Sequence, residues 1–157
     1  MTDLQLRALG PTLGSIALLL AAFGFQYLGH LAPCHLCLLQ RWPHGVAIVL
    51  GLLILVWPAR GLALLAGLAV LAGAVIAGYH VGVEAHWWPG PASCTAAAPA
   101  TGDAGALLDR ILATPTVLCD AVAWRWLGIS MAGWNGILSL VLAWLWLRAY
   151  ASSSASQ

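Results

Sequence analysis

Four runs of apolar residues organise the chain, at residues 11–31, 39–57, 62–83 and 129–150. Each is close to the roughly 20 residues that carry a helix across a bilayer. Small residues recur within them. Gly14, Ala17, Ala21, Gly24 and Gly29 mark the first run, and Gly78 and Gly82 sit four apart in the third. That spacing lets helices approach closely in lipid. Pro58-Ala59-Arg60-Gly61 forms a turn between the second and third runs. The pattern predicts an all-α, integral membrane four-helix bundle forming a single domain over residues 1–150, with a short polar tail at 151–157 expected to be disordered.

Between the third and fourth runs lies the one long polar connection, residues 84–128. It opens on Trp87-Trp88-Pro89-Gly90-Pro91 and closes on Trp124-Arg125-Trp126, aromatics suited to the headgroup region. Leu107, Leu108, Ile111 and Leu112 recur inside it at helical spacing until Pro115. A short helix lying on the membrane surface, or docked on other protein, is expected there.

Composition agrees with lipid as the main solvent. Of 157 residues, 62% are hydrophobic and 7% charged, against roughly 25% charged in soluble domains; mean hydropathy is +0.91. Net charge is +1 and lysine is absent, so no basic cluster suited to nucleic acid exists. Arg7 followed by an apolar run has the look of a signal peptide, and Leu31-Ala32-Pro33-Cys34 faintly resembles a lipoprotein cleavage box. Proline directly before the cysteine argues against cleavage, and the run is long enough to span, so a retained helix is expected.

Four spans place both termini on one side, and the loops after spans one and three on the other. The arginines divide evenly between the sides, so the positive-inside rule decides little. The cysteines decide more. All four fall on the same expected face: Cys34 and Cys37 just after span one, Cys94 and Cys119 in the long loop. That confinement points to an oxidising compartment, the periplasm in a bacterium.

From Cys94 and Cys119 alone, a structural disulfide stapling the loop is the favoured reading. Cys34 and Cys37 differ. A bridge across two intervening residues closes so tight a ring that it removes little unfolded-chain entropy. Such a pair is a poor staple and a common redox device. Metal binding ranks lower, because zinc sites usually draw a second close pair, whereas Cys94 and Cys119 are 25 positions apart. Gln40-Arg41-Trp42-Pro43-His44 follows where the second span enters the membrane. An arginine there is either a snorkelling anchor or a functional cation. Arg41 is four residues after Cys37, and a guanidinium and a helix N-terminus both favour a thiolate. Pro43 is expected to disturb that first turn.

At these residues the chain resembles the DsbB family of disulfide-bond formation proteins. The resemblance runs through Pro33-Cys34-His35-Leu36-Cys37, Gln40-Arg41-Trp42-Pro43, Trp88-Pro89-Gly90-Pro91-Ala92-Ser93-Cys94, Cys119-Asp120, and the stretch from Trp126-Leu127-Gly128 to Gly133-Trp134-Asn135. It implies a four-helix bundle in the bacterial inner membrane, a bound quinone (ubiquinone or menaquinone), and a periplasmic DsbA-like thiol oxidase as partner. It also implies two redox-active disulfides, Cys34–Cys37 and Cys94–Cys119. Cys94 would form the mixed disulfide with the partner, Cys119 would exchange with Cys34, Cys37 would contact the quinone, and Arg41 would polarise it. The family often has an acid where Gln40 stands, so any role of that acid is absent here. Some members place a histidine near the quinone. His80 and His86 both compete for that role, beside a reading of each as an interfacial histidine; of the two, His80 is the one assigned to the quinone.

The chemistry is coherent, since a DsbA-type oxidant at about −120 mV is demanding to reoxidise, and a quinone is a sink that lives in the hydrocarbon. The competing readings are a quinone-linked oxidoreductase of the vitamin K epoxide reductase type, a non-catalytic scaffold with structural disulfides, and a metal-binding transporter.

Overall fold

A computed structural model describes residues 1–91, 94, 105 and 117–152. It is mostly helical. Helix α1 spans Asp3–Tyr27 and starts well before the expected residue 11. A capping box explains the early start: Thr2 Oγ1 accepts from the Gln5 backbone N–H at 3.3 Å, and Gln5 Oε1 accepts from the Thr2 N–H at 2.7 Å. Leu4, Ala8, Pro11, Thr12 and Ser15 are buried along one face, so the first turns are held by packing even with a proline inside them. The helix also ends sooner than residue 31. Leu28 and Gly29 both donate to the Gly24 carbonyl, and His30 takes a positive φ of 53°, which turns the chain out of the helix.

Helix α2, His35–Leu39, follows at once and is capped by Cys34. Helix α3 runs Arg41–Val56. The cysteine pair therefore sits at the opening turn of a helix rather than in a loop ahead of a span at 39. Pro43 leaves α3 itself whole; with no N–H to offer the Leu39 carbonyl, it accompanies the interruption at Gln40 between α2 and α3, the disturbance expected of that first turn. Its ring packs against Gly73, where an added Cβ would stand 3.0 Å from Pro43 Cβ. Helix α4 is Arg60–Glu84.

A two-stranded hairpin, absent from the sequence expectations, precedes the last helix. Strand β1, Arg125–Trp126, pairs antiparallel with β2, Ile129–Ser130. The two residues between them, Leu127 and Gly128, have φ of 52° and 79°, the positive values that a tight two-residue hairpin demands. Helix α5, Met131–Ser152, begins just beyond. Ala151 and Ser152 continue it, while the rest of the expected tail and the expected helix near residues 107–112 lie outside the described residues.

Helix α1 packs on α3 and α5, and α4 packs on the same two. Small residues make these contacts: Ala8, Ala47, Ala63, Ala66 and Ala149 surround Ile54, Val70 and Trp146. Large apolar side chains point outward instead, among them Leu20, Val49, Val56 and Val75, the reverse of a water-soluble helical protein. The helices Asp3–Tyr27, His35–Val56 and Arg60–Glu84 are long and apolar enough to cross a membrane. Helix α5 matches them in length, with Asn135, Arg148 and its tryptophans diluting its hydropathy.

Candidate functional site

The chain folds its cysteines together at one end of the helices. Cys34 is the N-cap of α2, and its Sγ accepts the Cys37 backbone N–H at 3.2 Å. The two sulfurs of this pair are free and 2.7 Å apart, within a small side-chain motion of the roughly 2.05 Å of a disulfide. Cys94 and Cys119 are joined as a disulfide, and the Cys119 N–H also donates to the Cys94 carbonyl. The Sγ atoms of Cys34, Cys94 and Cys119 all lie within 4.8 Å of one another. Leu36, Val83 and Val117 close around them. Cys34, Cys94 and Cys119 are buried, and Cys37 is partly exposed. The proton that Cys34 shares with Cys37, and then burial, hold the Cys34 thiol well above the usual thiol range.

Beside Cys37 opens a cavity of about 400 Å³. Leu18, Ala22, Phe25 and Met131 contribute apolar wall, while Gln40, Arg41, His44, His80 and Asn135 bring polar groups into it. A mostly apolar chamber with a few convergent polar atoms is the usual form of a small-molecule site. Arg41 is oriented by α1: Nη1 donates to Gln26 Oε1 at 2.7 Å, and the guanidinium lies 4.9 Å from the centroid of Phe23. Its charge is thus held at the cavity wall by a hydrogen bond and a ring face.

His80 and His86, level in the sequence, part company here. His80 is buried on α4, with Nε2 3.6 Å from Cys34 Sγ and Nδ1 2.8 Å from Gln40 Nε2. His86 lies past the end of α4 at φ 58° and is exposed.

Sequence reasoning missed a run of buried hydrogen bonds behind the cavity. Asn135 Nδ2 donates to Gln40 Oε1 at 2.8 Å, and Asn135 Oδ1 lies 3.2 Å from His44 Nε2. Ser139 Oγ is 3.3 Å from the same nitrogen, and Ser15 Oγ is 3.5 Å from His44 Nδ1. Gln40, His44, Ser15 and Ser139 are all buried. The one available signal was their type, polar residues inside apolar runs.

The loop after α4 is tied back onto the helix. Trp88 stacks on Tyr79 and donates from Nε1 to the Tyr79 carbonyl at 3.0 Å, and the Tyr79 hydroxyl donates to the Pro89 carbonyl at 3.1 Å. This clasp sets the direction in which the chain leaves α4 toward Cys94.

A family model described as disulfide bond formation protein DsbB matches residues 6–149. The chain belongs to the DsbB family. A disulfide bond formation protein B from Alkalilimnicola ehrlichii is 32% identical, with 99% of this chain and 100% of that protein aligned. One from Dechloromonas aromatica is 34% identical over 88% of this chain and 84% of its own length. A third, from Herminiimonas arsenicoxydans, is 41% identical over a shorter stretch, 47% of this chain and 49% of the relative. No solved structure gives a significant match. DsbB membership makes this an oxidoreductase of disulfide bond formation, built around helices able to cross a membrane.

Proposed function

We propose that this DsbB-family protein is a thiol:quinone oxidoreductase that reoxidises a DsbA-like dithiol oxidase and delivers the electrons to a membrane quinone. On this reading α1, the continuous α2–α3 segment, α4 and α5 are four spans of a single domain in the inner membrane of a bacterium. Both termini are cytoplasmic, and the cysteine pairs face the periplasm.

The observation that carries the reading is the gathering of Cys34, Cys94 and Cys119 within 4.8 Å, with Cys37 in the wall of an apolar cavity. A thiolate of the partner attacks Cys94, forming a mixed disulfide and releasing Cys119 as a thiolate. The partner's second thiolate then resolves that bond and leaves oxidised. Cys119 attacks Cys34, which expels Cys37 as a thiolate at the cavity. Cys94 attacks Cys119 in turn, restores the loop disulfide and expels Cys34. Every step exchanges one S–S bond for another, so each needs thiolate access but no dedicated acid or base. Cys94 and Cys119 are buried, so the chain around them must open to admit the partner.

The cavity fits a quinone ring by volume, by its apolar walls and by the donors that enter it. Arg41 would hold a carbonyl oxygen, with His80 in the cavity wall beside it. The quinone supplies the oxidant, taking up two electrons and two protons, the number that a dithiol releases when it closes. What this chain contributes is position: Cys37 at the wall, a cation fixed by Gln26 and Phe23, and a pocket dry enough to strengthen both.

Absorption spectroscopy of the purified protein with added quinone tests this. A long-wavelength charge-transfer band is expected, lost in Cys37→Ser and retained in Cys94→Ser. Absence of any band, together with failure of quinone to consume the thiols of the reduced protein, would leave a scaffold with structural disulfides as the better account.

A further inference from the structure

The buried hydrogen bonds behind the cavity have a direction, and it can be worked out from one fixed point. Gln40 Nε2 lies 3.3 Å from the Leu36 carbonyl oxygen. A backbone carbonyl only accepts, so the amide nitrogen of Gln40 faces it, and the amide oxygen faces away. That nitrogen is also the atom 2.8 Å from His80 Nδ1. Because an amide NH2 only donates, Nδ1 must be the bare, accepting nitrogen, and the ring proton of neutral His80 sits on Nε2. The other end of the amide agrees. Gln40 Oε1 takes the Asn135 Nδ2 proton, which leaves Asn135 Oδ1 as acceptor for His44 Nε2–H and His44 Nδ1 as acceptor for the Ser15 hydroxyl. Reversing Gln40 would set its oxygen against the Leu36 oxygen and force every later partner to reverse.

With Nδ1 occupied by the Gln40 donor, the ring proton of neutral His80 is held on Nε2. The same nitrogen stands 3.6 Å from Cys34 Sγ.

We propose that Gln40 is a positioning residue that locks His80 in its Nε2–H tautomer, so that His80 presents a hydrogen-bond donor, and not a base, to the sulfur of Cys34. This rests on the relay above for the importance of Cys34 but not for the tautomer itself. In the relay Cys34 is the thiolate expelled when the loop disulfide re-forms, and in the reverse direction it is the nucleophile. A donor aimed at its sulfur stabilises the charged form in both roles. A bare nitrogen there would instead set its lone pair against the sulfur as Cys34 leaves as an anion. The same polarity argues against Cys34, Cys37 and His80 as a metal triad, since a protonated Nε2 has no lone pair to give. It also separates glutamine from a carboxylate at this position. A carboxylate is acceptor-only and would pull the His80 proton to Nδ1.

Nitrogen NMR of the full-length protein, labelled with 15N in its five histidines and held in quinone-free detergent, tests the tautomer. His80 is assigned by the signal missing in His80→Phe. The wild type should show His80 Nδ1 as a bare, pyridine-type nitrogen and Nε2 as a protonated, pyrrole-type one. In Gln40→Glu the Nδ1 signal should move to the protonated type. A protonated Nδ1 in the wild type, or an unmoved Nδ1 in Gln40→Glu, overturns the proposal. Should Gln40→Glu not fold, Gln40→Met removes the donor without adding charge, and a wild-type-like Nδ1 there overturns it equally. The consequence for sulfur is read in the same detergent, by acid-quenching the reduced Cys34–Cys37 pair as Cys34 attacks Cys119 and expels Cys94. Gln40→Met should slow formation of the Cys34–Cys119 bond about tenfold, the worth of one hydrogen bond to a charged group, and an unchanged rate removes the role assigned to His80. Neither measurement involves quinone, so failure here and failure of the quinone reading are distinct results.

Discussion

Gly82 on α4 has no room for even one more carbon. A Cβ built there would lie inside the ring of Trp88, against its Cζ2, Cε2 and Cη2 atoms. Gly82→Ala therefore forces Trp88 outward, into space that its partial exposure leaves open. The displaced ring gives up its stack on Tyr79, whose centroid is 6.0 Å away at an interplanar angle of 7°, and its Nε1 hydrogen bond to the Tyr79 carbonyl. An aromatic pair is worth about 0.5–1.5 kcal/mol and a net hydrogen bond about 1 kcal/mol, roughly 2 kcal/mol together. Alanine returns up to about 1 kcal/mol over glycine within a helix, so the net loss should be about 1 kcal/mol. Thermal unfolding in detergent should register this as a fall of about 3 °C. The sharper measurement is the double-mutant cycle. With Trp88→Ala already present there is nothing left to displace, and Gly82→Ala should become neutral or stabilising, with a coupling of about 2 kcal/mol. Equal effects of Gly82→Ala in both backgrounds would refute the reasoning.

Two further predictions follow from the same site. Asn135→Leu strands Gln40 Oε1 without its 2.8 Å donor and removes one of two oxygen partners of His44 Nε2. A buried unpaired group costs about 1–3 kcal/mol and interhelical hydrogen bonds within membranes average about 0.6 kcal/mol, so a loss of about 1–2 kcal/mol is expected in detergent unfolding, and an unchanged melting curve would count against the network. The second concerns pH: because the Cys34 thiol is held above its ordinary range by Cys37 and burial, its thiolate fraction should still climb about tenfold per unit at the usual thiol midpoint of about 8.5. The quenched Cys34-to-Cys119 exchange should rise with pH past that point, and a plateau below about pH 8 would show that Cys34 is already ionised.

Apolar runs were enough to reveal the long helices, because a segment that must satisfy its backbone in lipid has few alternatives to a helix. Their ends were harder. The early start of α1 depends on Thr2 and Gln5, a three-residue spacing that is visible in the sequence but outweighed by the proline at 11. The turn at Leu127-Gly128 was hidden because leucine is a poor host for a positive φ, and the hairpin it closes is only two residues per strand. The grouping of the four cysteines into two segments was visible in their spacing. Their convergence was expected only through the family resemblance, since no local pattern ties Cys34 to Cys94 and Cys119 across the intervening helices. Least legible was the pairing of His44 with Asn135, 91 positions apart. Each alone is an oddity in an apolar run, and only a fold says that they answer one another.

The interior divides along the helix axes, and the division separates stability from chemistry. At one end, Leu4, Ala8, Ile54, Ala63, Val70, Trp146 and Ala149 make a core of close-packed small and apolar side chains with no titratable group among them. At the other, the sulfurs gather with Leu36 and Val83. The Gln40–Asn135–His44 hydrogen bonds, with His80 and the cavity, lie near the sulfur end. Lipid drives helices together only weakly by the hydrophobic effect, so the small-residue end supplies van der Waals contact that the polar end cannot. That contact lets the sulfur end carry buried polar groups and an open cavity, features that a uniformly packed interior would have no reason to keep. Substitutions among Ala63, Ala66 and Ala149 should then change how firmly the helices associate while leaving the order of sulfur exchange intact, whereas changes at Gln40 or His80 should alter that exchange in a protein that still holds together.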